Sequence, residues 1–397
     1  VLAFIRQVSP PQDAKLFAHE SRENIVRDFR FEISNLKSLC RSAIKLKTSA
    51  SYIFAGKVKM RCYNLCLLGF GNVGRALAEL LVKKDEEMRE RFGIEWRITG
   101  VATRRRGWLA RPEGFDVSKI LAGEPLEHFE LEPKDVREWL KMARADVLFE
   151  TTSLNHETGQ PAIDYIRAAL ELGAHAITAN KGVVVHGYRK LNELAGTAGK
   201  RFFFEATCLD SAPVFSLFRE TLPAANLNGF KGIFNSTTTV ILEEMEAGKS
   251  FDEGVRRAQM LGVTETDPAH DVDGWDAAVK VCAIANVLMN VPLRLDEIER
   301  EGIRGLTNEM VRVAREEGRP FRLVSRAARI VDGGVAASVR PEQISLNDPL
   351  GSVSGTSLMI HFDLDMMPGL TIASHNPNLQ STAYGLLADF INAVKNE

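Results

Sequence analysis

The chain predicts an α/β protein: a doubly wound parallel sheet joined to a second, α+β lobe. Apolar strands alternate with amphipathic helices from Cys62 to about Glu205. A glycine cluster separates the first strand from the first helix, and beyond Glu205 short strands mix with long helices. At 397 residues the chain exceeds what one core usually serves, so two lobes are expected.

Each element follows from local pattern. "CYNLCLLGFGNVGRALAELLVKK", from Cys62, reads as buried strand, turn and helix. "WRITGVAT" and "ADVLFETTS" are the second and third strands, and "QPAIDYIRAALELG" a helix. "HAITAN" is a strand, a helix follows around Tyr188 to Ala198, and "RFFFEAT" (Arg201 to Thr207) is a further strand. Short links between such elements imply parallel pairing with both faces covered. In the second lobe "GFKGIFNS" and "GGVAASVRPEQI" are strands; "TTVILEEMEAG", "SFDEGVRRAQMLG" and "DGWDAAVKVCAIANVLM" are helices. "STAYGLLADFINAVKN" is a last amphipathic helix, with Ser381 as its expected cap.

The boundaries expected are 61–205 for a dinucleotide-binding domain, 206–370 for the second lobe, and 371–397 for a C-terminal helix returning to the first. Residues 1–60 are basic and lack a sustained period. They read as a weakly ordered extension, with Met60 as a natural start, or alternatively as an import signal.

Lys and Arg number 50 against 52 Asp and Glu, which offers no basic field to nucleic acid or an anionic membrane. No apolar run approaches the roughly 18 residues that span a bilayer. The 5 cysteines show neither metal-ligand spacing nor a disulfide framework, which suits a reducing, cytoplasmic compartment.

Gly69-Phe70-Gly71-Asn72-Val73-Gly74 fits the Rossmann fingerprint in its proper setting, strand before and helix after. The first glycine makes the turn, the second admits the pyrophosphate, and the third lets helix pack on strand. Gly69, Gly71, Asn72, Val73 and Gly74 are therefore candidate cofactor residues. The second strand ends in Thr103-Arg104-Arg105-Arg106 without the acid that would bind a ribose 2′-hydroxyl. Guanidinium groups suit a 2′-phosphate, so NADP(H) is preferred over NAD(H); a solvated basic loop is the alternative. Thr103, Arg104, Arg105 and Thr152 join the cofactor set.

"GVTETDPAHDVDGWDAAVK" gathers Glu265, Asp267, Asp271, Asp273 and Asp276 ahead of Lys280. Asp273 is expected to cap a helix starting near Gly274. Asp276 and Lys280 lie four residues apart on one face, which continues through Ile284 and Val287. A lysine on an apolar stripe is either half of an exposed ion pair or part of a chemical site.

The segment "IFNSTTTVILEEMEAGKSFDEGVRRAQMLGVTETDPAHDVDGWDAAVK" resembles the substrate-domain signature of homoserine dehydrogenases. "ITANKGVVV" and "FFFEATCLDSAPVFSLFRETLP" resemble that family too, in its short form without an ACT or kinase module. The resemblance implies reduction of L-aspartate 4-semialdehyde to L-homoserine with NAD(P)H, in threonine, methionine and isoleucine biosynthesis. It also implies a homodimer joined through the second lobe. A relative acting on another small aldehyde or hydroxy acid, or a non-catalytic cofactor binder, are the alternatives. By match to the family's motifs, Lys181 and Lys280 are the catalytic lysines, with Asp276 between substrate and catalysis. Lys181 also belongs with the cofactor residues. Glu265, Asp271, Asp276 and Thr237 are the substrate-binding set. Carboxylates suit the substrate's ammonium, and an ammonium suits the charge that builds on oxygen as an aldehyde is reduced. The resemblance further implies a monovalent cation such as Na+ on the Glu205 side chain and carbonyls near Cys208 and Asp210. A carboxylate holding backbone amides is the alternative for Glu205.

Three loops depart from the family's glycine pattern: Cys208–Ala212, Asn235-Ser236-Thr237, and Ser374-His375-Asn376-Pro377-Asn378. Glycine permits positive φ and close approach, which leucine and proline restrict. Asp210 and His375 are candidates for new contacts there.

Overall fold

The computed structural model describes residues 59–126, 133–264, 267–395 and 397. The expected extension, apart from its last two residues, lies outside them, as does Glu265. β1 (Arg61–Leu68) is fully buried from Leu65 onward, as an inner strand covered on both faces must be. It feeds α1 (Asn72–Lys83), whose Ala76, Leu77, Leu80 and Leu81 form one buried stripe. Gly93, left-handed, stops α2 (Asp85–Phe92) and turns the chain into β2 (Ile94–Thr103). β3 (Gly107–Ala110) then folds back antiparallel on β2, so the arginine run is the turn of a hairpin.

α3 (Val117–Ala122) and α4 (Val136–Met142) lead to β4 (Val147–Glu150), α5 (Ala162–Glu171), β5 (His175–Thr178), α6 (Lys181–Thr197) and β6 (Phe202–Phe203). The sheet order is β3-β2-β1-β4-β5-β6, parallel except for β3. The strand expected over Arg201–Thr207 is shorter, because Glu205–Thr207 winds into a 3-10 turn. The order reverses between β1 and β4, and a crevice opens where their carboxyl ends diverge.

The second sheet has the order β12-β11-β7-β9-β10-β8 and is antiparallel apart from β8 with β10. Its strands are β7 (Leu227–Ile233), β8 (Glu299–Arg300), β9 (Phe321–Arg329), β10 (Val335–Gln343), β11 (Leu358–Leu364) and β12 (Leu370–Ser374). The helices of this part are α7 (Ser236–Glu246), α8 (Phe251–Met260), α9 (Ala269–Val272), α10 (Trp275–Leu288) and α11 (Asn308–Glu316). Every residue of α10 from Ala277 to Asn286 is buried, as befits a helix apolar almost all round. It packs on β9 at one side and on α6 at the other. That contact brings the start of α6 beside the start of α10.

The last helix, α12 (Leu379–Val394), crosses back onto α1, with Phe390 edge-on to Tyr63 and Phe149 at ring distances of 5.9 Å each. Its cap is Asn378, not Ser381. The extended backbone of Asn378 lets its side chain receive the Gln380 and Ser381 amides, while Ser381 reciprocates from inside the first turn. Asp273 likewise is not the cap of α10. Gly274 holds that position in a left-handed conformation, and the Asp273 carboxylate pairs with Arg304. Among the described residues no helix is long and apolar enough to cross a membrane.

Candidate active site

The crevice between β1 and β4 is shaped by the absence of side chains. Gly69 has φ +92, and a Cβ there would lie 2.6 Å from the Thr151 carbonyl oxygen. A Cβ on Gly74 would meet the Gly69 oxygen at 2.5 Å, whereas Gly71 faces nothing within 4 Å. The three glycines thus serve separate needs: turn, helix packing and open approach. No side chain caps α1 at Gly71, which leaves the first-turn amides, with Asn72 and Val73 among them, to an incoming anion. The resulting cleft of about 870 Å³ is lined by Gly69, Gly71, Thr103, Arg104, Arg105 and Thr152. Phe70, Arg75, Trp108 and Tyr165 line it too and carry no local sequence signal. Arg104 and Arg105 are exposed at the hairpin turn. Arg106 bonds the Gly123 carbonyl at 2.8 Å through one guanidinium nitrogen, while its Nη1 is buried without a partner. These residues fit a dinucleotide: glycine backbone for pyrophosphate, and guanidinium groups for further phosphate.

Beyond α6, three segments converge on Asp276. Lys280 Nζ stands 2.9 Å from one of its carboxylate oxygens, and Lys181 Nζ 3.2 Å from the other. Lys181 is the first residue of α6, placed there by the Asn180 cap. Lys280 also donates to the Phe234 carbonyl at 2.6 Å. Burial alone would push the Asp276 carboxyl up, but Lys280, Lys181 and the Asn235 amide outweigh it and hold it well below the carboxylate range. Burial works downward on Lys280, and Asp276 reverses that, so its ammonium is held above the usual lysine range.

Asn235 ties the wall together. Its Nδ2 donates to Asp271 (2.7 Å) and Asp276 (3.1 Å), while its Oδ1 caps α7 by accepting from the Thr238 amide. Asp271 takes a second bond from the Thr264 hydroxyl at 2.7 Å. Among the described residues no salt bridge reaches Asp271. The Thr237 hydroxyl donates to the Val263 carbonyl at 2.9 Å, supporting the segment that precedes Glu265. Sequence reasoning treated Asn235 only as part of an altered loop. An asparagine at cap spacing before a helix was the available signal.

The altered loops keep much of the geometry that glycine would supply. Asp210 (φ 57) and Asn376 (φ 47) are both left-handed, a region that Asp and Asn enter more readily than other side chains. Asp210 is further held by the Thr382 hydroxyl at 2.6 Å. In the middle loop Ser236 lies inside the first turn of α7 and donates to the Thr356 carbonyl at 2.7 Å. His375 is exposed.

Glu205 accepts from the amides of Val214 (2.6 Å), Phe215 (2.8 Å) and Ser216 (2.7 Å), which occupies both carboxylate oxygens. These contacts are those of the amide-holding role. Asp389 on α12 accepts from the Glu205 amide at 2.7 Å; burial, and then the Glu205 charge, push its carboxyl up to about 8. Burial pushes the Cys208 thiol up to about 11. Among the described residues no group of three or more His, Cys, Asp or Glu side chains could hold a metal ion.

Comparison with known proteins agrees with this division of labour. A family model for the homoserine dehydrogenase NAD-binding domain matches residues 69–205, and one for homoserine dehydrogenase matches 213–391. The chain is 32% identical over 340 residues to an NAD(+)-dependent homoserine dehydrogenase of Pseudomonas canavaninivorans, covering 83% of this chain and 96% of that one. It is 30% identical over 336 residues to a homoserine dehydrogenase of Methanocaldococcus jannaschii, covering 83% and 98%. Among solved structures, a homoserine dehydrogenase from Thiobacillus denitrificans superposes with a TM-score of 0.72 at 28% identity, covering 85% of this chain and 74% of that one. A hyperthermophilic archaeal homoserine dehydrogenase in complex with NADPH gives 0.70 at 27%, covering 85% and 99%.

Proposed function

The chain belongs to the homoserine dehydrogenase family, and on that premise we propose how its own residues carry out the reaction. It is an NAD(P)-dependent oxidoreductase that interconverts L-aspartate 4-semialdehyde and L-homoserine. A reduced nicotinamide dinucleotide held through the Gly69–Gly74 turn would supply the hydride. As the carbonyl carbon is reduced, negative charge builds on its oxygen, and the Lys280 ammonium stabilises it and gives it a proton. An ammonium has three donors. Phe234 and Asp276 take two, leaving one for the substrate oxygen. Held above the usual range, Lys280 rests protonated, ready for reduction; in the reverse direction it must first lose that proton. Lys181 reaches Asp276 from α6 and fixes the carboxylate between two cations. Asp271, whose side-chain partners among the described residues are neutral donors, takes the substrate's ammonium together with Glu265.

The observation that carries these roles is the convergence of Lys181, Asp276 and Lys280 from two helices. NADPH oxidation with L-aspartate 4-semialdehyde tests it. The wild type turns over, and Lys280→Ala loses about 10²–10⁴-fold in kcat while still binding NADPH. Absence of wild-type turnover, or turnover only with another aldehyde, overturns it.

NADPH is the preferred cofactor in this proposal, because the β2–β3 turn offers Arg104, Arg105 and the unsatisfied Arg106 nitrogen and no carboxylate. A lower KM for NADH than for NADPH would reverse that choice. The proposal also includes a homodimer joined through the second lobe, and light scattering on the purified protein decides whether a dimer forms.

A further inference from the structure

Glu150 closes β4 beneath the cofactor cleft, and none of the chemistry above uses it. It is fully buried, and both its oxygens are engaged. Oε1 accepts from the Thr152 amide at 2.8 Å and from the Thr152 hydroxyl; Oε2 accepts from the Thr178 hydroxyl at 2.6 Å. We propose that Glu150 is a positioning residue that sets both the cofactor-lining Thr152 and Lys181, the partner of Asp276, through one hydrogen-bond network.

The two arms can be followed bond by bond. Thr152 lines the cleft, so its backbone and hydroxyl are aimed by the carboxylate below them. On the other side Glu150 and Thr178 are register partners on β4 and β5. The Thr178 oxygen in turn accepts from the Asn180 amide at 2.9 Å, and Asn180 Oδ1 accepts from the Gly182 amide at 3.1 Å, capping α6. Lys181 lies between those two residues. Its approach to Asp276 therefore depends on where this cap holds the helix.

A carboxyl in this position opposes simple packing. Burial pushes its pKa up, and the bonds from Thr152 and Thr178 counter that. An apolar residue would fill a strand end between β1 and β5 without that penalty, but it could not hold two loops at once. One carboxyl with two divergent oxygens can. The cofactor cleft and the lysine that pairs with Asp276 are thereby referred to a single carboxylate.

This inference rests on the proposed function, and its test separates the two. Thr178→Val cuts the α6 arm, and Thr152→Val removes the hydroxyl bond of the cofactor arm while leaving the amide bond; both conserve volume. Thr178→Val lowers kcat by at least about tenfold with a smaller change in the NADPH KM. Thr152→Val raises the NADPH KM and the NADPH Kd, read by protein fluorescence, by about fivefold or more, with a smaller change in kcat. Glu150→Gln, which keeps an acceptor toward Thr152, retains more of both constants than Glu150→Ala. The inference is overturned if both valine variants keep wild-type kcat and KM, or if they lose only thermal stability. Should the wild type fail to turn over, the proposed function falls, and the Thr152→Val Kd still decides the cofactor arm.

Discussion

The cleft between β1 and β4 and the wall around Asp276 are made from different material. The cleft is backbone: Gly69 and Gly74 leave no room for a Cβ, and the α1 amides face outward uncapped. The wall is side chain: Lys181, Asn235, Asp271, Asp276 and Lys280 come from α6, the β7–α7 turn, α9 and α10. A backbone site fails by steric intrusion, one residue at a time. An electrostatic wall fails collectively, because each charge sets the ionisation of the next. The altered loops beside the wall fit that contrast. They have lost glycine yet keep left-handed backbone at Asp210 and Asn376, so shape is retained without the residue type.

The sharpest way to break the wall is Asp276→Asn. It leaves Lys280 buried beside no carboxylate of its own, at a cost of about 3–5 kcal/mol in stability. It also lowers kcat by about 10²-fold or more. Its pH signature has a definite sign. Asp276, held low, contributes stability above its unfolded pKa of about 3.9, and this is lost as pH falls toward the folded value. Lys280, held high, contributes below about 10.4, and this is lost as pH rises through its folded value. In the variant both losses disappear, which denaturant melts at acid, neutral and alkaline pH would reveal. Persistence of both slopes would mean that other groups set them.

A smaller effect is expected from Gly69→Ala. The methyl meets the Thr151 carbonyl at 2.6 Å and must adopt φ +92, a strain of about 1–3 kcal/mol. NADPH affinity falls by about tenfold or more, while the ion pairs around Asp276 are left in place. Calorimetric titration with NADPH measures this. Unchanged affinity would show that the backbone description of the cleft is wrong.

The smallest effect is expected from Asp210→Gly. Relief of the left-handed conformation, about 1 kcal/mol, opposes loss of the Thr382 bond, also about 1 kcal/mol. Stability then moves by less than about 1 kcal/mol, and turnover stays within about threefold. A large fall in turnover would make the aspartate side chain, and not its backbone, the feature that matters in that loop.

Much of the first sheet could be read directly, because the fingerprint and the strand–helix alternation are local patterns. Lys280 on its apolar stripe was equally legible, since residues four apart share a helix face whatever the rest of the chain does. The β3 hairpin was missed because antiparallel return depends on backbone pairing across Thr103 to Gly107, which the arginines do not encode. Strands β9, β11 and β12 also went unread: β9 and β11 each pair with β7, far away in sequence, and β12, among the described residues, pairs only with β11. The Asp273 and Ser381 caps failed because cap identity rests on backbone conformation at a single residue, and a neighbouring Gly274 or Asn378 supplied it instead.

The sequence by itself determined the dinucleotide turn, the two-lobe division and the types of charged residue available to the site. Those are consequences of local sterics, hydrophobic period and side-chain chemistry. Only the tertiary structure decided that Lys181 and Lys280 share one carboxylate, that Asn235 bridges two, and that Glu205 is occupied by amides. Such facts depend on α6 packing against α10, a contact between residues nearly a hundred positions apart that no local pattern specifies.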